Sequence, residues 1–201
     1  FCKLFETLLE DKNFKKDLTF KELYDSTKKK LIINGTCLNN NEVYFFDVDS
    51  YPDMTIVKAI RISISLPFLF TPVLHDDLLF IDGGVMNNYL IDLFNDNLDS
   101  VFGVLTSFNN DEIYKVTNLE EYLSCFYKCY SKACYDTIYT AYKKYTLLLN
   151  FDIDVSEFLK KDKKSIFNAK LSELYNIGYE KTIDYFKSTR NDKLINCNNN
   201  I

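Results

Sequence analysis

Residues 78–84 read Leu78-Leu79-Phe80-Ile81-Asp82-Gly83-Gly84: an apolar run passes into one carboxylate and then into two residues without side chains. Such a run reads as a short buried strand, and a carboxylate at its end is held rigidly and only partly solvated. The glycines let neighbouring backbone come close. This arrangement suits an active site better than it suits a requirement of the fold. Taken alone, Asp-Gly is also among the commonest turn pairs, so Asp82 has a plain second reading as a turn residue.

Upstream, Thr19 stands three residues before Glu22, the capping-box spacing that opens a short helix. Leu31 to Cys37 and Val43 to Val48 are β-rich and are separated by Leu38-Asn39-Asn40-Asn41-Glu42, whose asparagines tolerate turn geometry. Two antiparallel or neighbouring strands are expected there. A helical stretch runs from Tyr51-Pro52-Asp53-Met54 through Ile62, and Pro67 and Pro72 then set a constrained loop.

Ser63-x-Ser65-Leu66-Pro67-x-x-Phe70-x-Pro72-Val73, followed by Asp82-Gly83-Gly84-Val85-x-x-Asn88, resembles the patatin-like phospholipase family. The order and spacing of small, proline and glycine positions carry the resemblance, which covers roughly residues 15–110. It implies a three-layer α/β hydrolase domain, a mostly parallel sheet with helices on both faces. Residues 1–190 would be the C-terminal part of one such domain and 191–201 a polar tail. It also implies a serine and aspartate dyad, with Asp82 as general base and Gly83, Gly84, Asn88, Pro67 and Pro72 supporting the motif. Where the family has proline two residues after the asparagine, this chain has Leu90, a departure that touches helix entry rather than chemistry.

The family's nucleophile lies in a Gly-x-Ser-x-Gly elbow, and the glycines at 35, 83, 84, 103 and 178 include no pair four apart. The glycine-rich oxyanion loop is missing for the same reason. We expect the nucleophile to lie upstream of Phe1, so that this chain alone hydrolyses nothing. A serine hydroxyl becomes a nucleophile when a base takes its proton, and an oriented carboxylate in a dry pocket can do so. The implied activity is hydrolysis of acyl esters in glycerophospholipids or related lipids. Contact with the membrane would be peripheral, and no metal or organic cofactor is required. The alternative is a catalytically inactive lipid-binding or scaffold protein on the same fold.

Other residues compete for catalytic roles. Ser63 and Ser65 lack flanking glycines and fit close packing beneath the site. His75, in Val73-Leu74-His75-Asp76-Asp77, could complete a triad, but a polar loop flanked by acids is its plainer home. A strand ending in aspartate also resembles the magnesium-holding strand of nucleotide hydrolases, yet the chain has no G-x-x-x-x-G-K-[ST] loop.

Composition narrows the classes further. With 47% hydrophobic and 26% charged residues the chain has the makings of a full core, and a net charge of -5 argues against nucleic-acid binding. Lys28-Lys29-Lys30 and Lys160 to Lys164 read as solvated surface. The cysteines at 2, 37, 125, 129, 134 and 197 follow no zinc spacing, and 125, 129 and 134 read as reduced, partly buried thiols of an intracellular protein. Asn34-Gly35-Thr36 fits a glycosylation acceptor but lies inside an apolar run, and is taken as chance. No run reaches the roughly 18 to 20 apolar residues that cross a bilayer.

Toward the C-terminus a buried strand is expected over 100–107, after a helix from about Asn88 to Phe94. Leu119 to Phe151 reads as one long helix or two, with Leu119, Leu123, Phe126, Tyr130 and Cys134 on a shared face. That face is read as core packing in preference to a lid. Ser165 to Phe186 should be a helix against the sheet, and Asn196 to Asn200 a frayed tail.

Overall fold

The computed structural model describes residues 2–108, 115–151 and 164–198. The chain divides into two compact units, Phe1–Leu90 with Phe126–Ser131, and Ile91–Cys125 with Lys132–Ile201.

In the first unit, helices α1 (Cys2–Asp11) and α2 (Phe20–Thr27) precede strands β1 (Ile33–Cys37) and β2 (Glu42–Phe46). The capping box at α2 is complete: Thr19 Oγ1 accepts from Glu22 N at 3.3 Å, and Thr19 N donates to Glu22 Oε2 at 3.0 Å. Helix α3 (Ile56–Ser63) starts at Thr55, which accepts from Lys58 N, and buries Ile56, Val57, Ala59 and Ile62. Strands β3 (Val73–His75) and β4 (Leu78–Asp82) follow.

These strands form a four-stranded sheet in the order β2-β1-β4-β3. Every pairing in it is antiparallel, which corrects the expectation of a mostly parallel sheet. The reason is connection length. β1 and β2 are joined by a short turn with Asn41 at φ 58°, and β3 and β4 by Asp76 and Asp77 at φ 48° and 61°. Two positive-φ residues in succession make a tight hairpin, whereas parallel strands need a long crossover. Phe46, Phe80 and Cys37 from the sheet meet Ile62, Ala59 and Ile56 from α3, with Phe20, Leu18 and Met54 closing the core.

After β4 come a 3-10 turn over Gly83–Val85 and a 3-10 segment over Leu90–Ser100 with non-helical backbone at Phe94 and Asn97. The expected helix near Asn88 to Phe94 is thus an irregular 3-10 element that starts two residues later.

The second unit carries a two-stranded parallel sheet of β5 (Gly103–Phe108) and β6 (Thr146–Phe151), in register from Gly103 opposite Thr146 to Phe108 opposite Phe151. Burial alternates along β5, with Gly103 and Leu105 inside and Val104 and Thr106 outside, so this strand is buried on one face only. Helix α4 (Leu119–Tyr142) ends before a 3-10 turn and β6, so the last part of the Leu119 to Phe151 region is strand and not helix. The shared face of α4 is open: Leu119 is 71% exposed and Phe126 64%, with Tyr130 and Cys134 also exposed and Leu123 half-buried. This overturns the core-packing reading. Helix α5 (Lys164–Asn198) packs on the sheet through Phe102, whose ring lies 5.5 Å from Tyr185 and 5.0 Å from Phe186. Tyr185 Oη donates to Lys144 O at 3.5 Å. Helix α5 continues through much of the expected polar tail, of which 199–201 lie outside the described residues.

Cys2, Cys37, Cys125, Cys129 and Cys134 are free thiols. Cys125 is half-buried, but Cys129 and Cys134 are exposed, against the expectation for those two. Lys28, Lys29 and Lys30 are exposed, and Lys30 Nζ bridges Asp47 at 2.9 Å and Asp49 at 2.5 Å. Most of the Lys160 to Lys164 run falls outside the described residues. No helix among the described residues is long and apolar enough to cross a membrane.

Candidate active site

Asp82 ends β4, an interior strand. On one side its residue pairs with Gly35 of β1; on the other its N–H donates to Ser65 O at 3.0 Å. One carboxyl oxygen, Oδ1, accepts from Gly84 N at 2.7 Å. Burial raises the Asp82 pKa above the usual carboxylate range, and the Gly84 N–H bond opposes that rise. A half-buried carboxylate of raised basicity with fixed orientation can accept a proton from an adjacent alcohol.

The two glycines are needed for space and not for a left-handed backbone, since no glycine in the described chain has positive φ. A Cβ on Gly83 would come within 2.5 Å of Asn34 Cγ. A Cβ on Gly84 would lie 2.6 Å from Asn88 Oδ1 and 3.0 Å from Asp82 Oδ1. Asn88 is an exposed residue whose amide rests against Gly84, which places it beside Asp82.

Ser65 is fully buried, and its hydroxyl donates to Arg61 O at 2.6 Å while accepting from Arg61 Nη1. A hydroxyl so engaged is a packing element. Ser63 lies in the last turn of α3. Pro67 and Pro72 bracket a loop in which Phe68 takes φ 69° and is 67% exposed. Arg61 Nη2 ties the far end of that loop by donating to Thr71 O at 2.9 Å and Oγ1 at 3.1 Å.

His75 is not in a polar loop. It ends β3, is only 13% exposed at its side chain, and sits among the rings of Tyr51, Phe46 and Phe80, with centroids 5.9, 6.4 and 6.3 Å away. Its Nδ1 lies 2.9 Å from Lys58 Nζ, and its buried Nε2 has no hydrogen-bond partner. Burial lowers its pKa, Lys58 lowers it further, and Asp76 opposes them weakly. An adjacent pocket of about 400 Å³ is lined by Tyr51, Met54, Lys58, His75 and neighbouring residues. Asp82 does not line it. Among the described residues no group of His, Cys, Asp and Glu could hold a metal ion.

Asn34 is the site residue that the sequence reading passed over. It is buried on β1, and its amide packs against Gly83. An asparagine inside an otherwise apolar strand run was the available signal, because a buried amide must be hydrogen-bonded.

Residues 2–95 match the family model described as Patatin-like phospholipase. Over that segment the chain is similar to the patatin-like phospholipase family. The patatin-like segment holds the whole Asp82 neighbourhood described above. The chain is also 40% identical over 106 residues to an uncharacterized protein of Acanthamoeba polyphaga mimivirus, covering 53% of this chain and 34% of the relative. It is 33% identical over 88 residues to a protein of Invertebrate iridescent virus 6 named as a probable lipid hydrolase, covering 44% of this chain and 30% of the relative. The chain thus spans about a third of the length of the curated relatives it matches.

Proposed function

We propose that this chain supplies the general-base half of a serine acyl hydrolase acting on glycerophospholipids or related acyl esters. Asp82 takes the proton of a serine that lies outside these 201 residues as the serine attacks the ester carbonyl, the alcohol leaves carrying that proton, and a water that gives its proton to Asp82 then releases the acyl group as the acid while the serine is reprotonated. The domain is read as part of a three-layer patatin-like α/β fold, with Asn88 and the Pro67–Pro72 loop shaping the rim of the site. Lipid contact is peripheral and transient.

The observation that carries this reading is the state of Asp82: half-buried at the end of an interior strand, aimed by Gly84 N–H, and more basic than an ordinary carboxylate. A turn aspartate in water would share the Gly84 N–H bond, an ordinary Asx-turn contact, but neither the burial nor the raised basicity. General-base assistance of this kind contributes roughly 10²- to 10⁴-fold in rate.

A fluorophosphonate probe on the full-length protein containing this chain tests it. Labelling that falls by about two orders of magnitude or more in Asp82→Asn, with the variant folded, supports the dyad. Labelling that survives the change removes Asp82 from the mechanism. Full-length protein that resists the probe entirely favours the lipid-binding or scaffold alternative, which the absence of a Gly-x-Ser-x-Gly sequence in these residues keeps in view.

A further inference from the structure

Asn34 is 8% exposed in the middle of the sheet, and its Nδ2 donates to Asn87 O at 2.7 Å, a bond that spans 53 positions of sequence. Gly83 O, in turn, accepts from Asn87 N at 3.0 Å and from Met86 N at 3.3 Å. Asn87 is therefore held through both its backbone N–H and its backbone C=O. Its N–H is held by the start of the turn and its C=O by β1. Between these two grips lies Gly84, whose N–H is the donor to Asp82 Oδ1. The Asn34 amide also lies against Gly83 so closely that a side chain on Gly83 would collide with it.

We infer that Asn34 is a positioning residue for the Asp82 carboxyl, acting by clamping the Gly83–Asn87 turn so that Gly84 N–H stays aimed at Oδ1. The inference rests on the reading of Asp82 as the base. It gives Asn34 a role other than the sugar acceptor that Asn34-Gly35-Thr36 would otherwise mark. The nitrogen a glycan would occupy is buried and already donating. An asparagine suits this place because its amide donates the bond to Asn87 O while remaining flat and uncharged in a buried position. An aspartate there would fill the same volume and lose the donor.

The test is NMR on the 201-residue chain, comparing wild type with Asn34→Ala and Asn34→Asp. In both variants Gly84 amide exchange is expected to accelerate about tenfold or more, the equivalent of one lost buried hydrogen bond. The Asp82 N–H, held by Ser65 O, keeps its protection. The Asp82 carboxyl midpoint moves upward, because the Gly84 bond that favours the charged form is loosened. Wild type offers a check that needs no variant to fold: the Asn34 side-chain amide protons should be as protected as Gly84 N–H. The inference fails if those protons exchange freely while Gly84 is protected. It fails equally if folded variants keep Gly84 protection, or if the Asp82 midpoint stays or falls. None of these readouts involves a nucleophile, so they stand apart from the fluorophosphonate result. A protein that no probe labels can still show the clamp, and a labelled one can still lack it.

Discussion

The Ser65 carbonyl accepts the Asp82 N–H at 3.0 Å, so the candidate base and the loop that begins at Ser65 move as one piece. The loop is held at its far end by Arg61, through Thr71 O and Oγ1. Arg61→Met removes that tie and the bond to the Ser65 hydroxyl. We expect a loss of about 1–2 kcal/mol in denaturant unfolding, since hydrogen bonds from charged donors contribute more than neutral ones and Thr71 is partly solvated. Faster exchange of Asp82 N–H in the variant would show that the loop anchors the base. Unchanged exchange would show that it does not.

Asp82 is expected to oppose stability at neutral pH. Its pKa is raised in the folded protein, so between the ordinary carboxylate value and that raised value the folded chain binds more protons than the unfolded one. Stability from this group is present at acid pH and is lost as pH rises through the folded value. Asp82→Asn, whose oxygen can still accept from Gly84 N–H, should melt at a higher temperature than wild type at pH 7. The gain should vanish near pH 3 when melts are compared at both pH values.

The same titration sets the activity profile if the dyad reading holds. Labelling or hydrolysis should rise with pH as Asp82 deprotonates, with its acid-side midpoint above the ordinary carboxylate value of 3.8. A midpoint at or below that value would mean that burial does not tune this base.

Gly83→Ala and Gly84→Ala should separate stability from chemistry. The first forces a methyl into the buried Asn34 amide and should cost about 1–3 kcal/mol, as overpacking of a tight interior does. The second meets the exposed Asn88 side chain, which can turn away, and the Asp82 oxygen, which cannot do so freely. Its unfolding free energy should change less while labelling falls more. Equal effects on both readouts for both variants would contradict this division.

His75→Phe should leave labelling of the full-length protein nearly intact, because His75 sits among Tyr51, Phe46 and Phe80 and its Nδ1 faces Lys58. It should also remove one acid-sensitive term. Since the folded pKa is lowered, the unfolded chain takes up the proton first as pH falls from about 6.5, and stability drops in that window. Melts of wild type and variant at pH 7 and pH 5 measure the difference. A large loss of labelling in folded His75→Phe would favour a triad.

What could be read from residues alone follows the range of the interactions involved. The capping box of Thr19 and Glu22, the asparagine turn before Glu42 and the Asp-Gly-Gly motif are local and appeared where expected. Antiparallel pairing was half visible: the turn between β1 and β2 suggested it, but family likeness pulled the reading toward a parallel sheet. Thr146 to Phe151 was missed as a strand because the short apolar stretch Leu147–Leu149 has no period of its own and follows directly on a helical pattern, while its partner Gly103–Phe108 lies about forty residues away in sequence. His75 was assigned to water by its acidic neighbours, while the rings that enclose it come from β2, β4 and the Tyr51 turn. Asn34 was dismissed with its glycosylation pattern for the same cause, since its partner is 53 positions on.

β4 has a neighbour along each flank, β1 on one side and β3 with Ser65 on the other. No further strand can zip alongside it. Additional sheet can grow only at the margins of β2 or β3, so the segment that brings a hydroxyl to Asp82 does so without pairing with β4. Whatever reshapes the Gly83–Asn87 turn also changes how the carboxyl is presented to an incoming alcohol, because Gly84 N–H belongs to that turn.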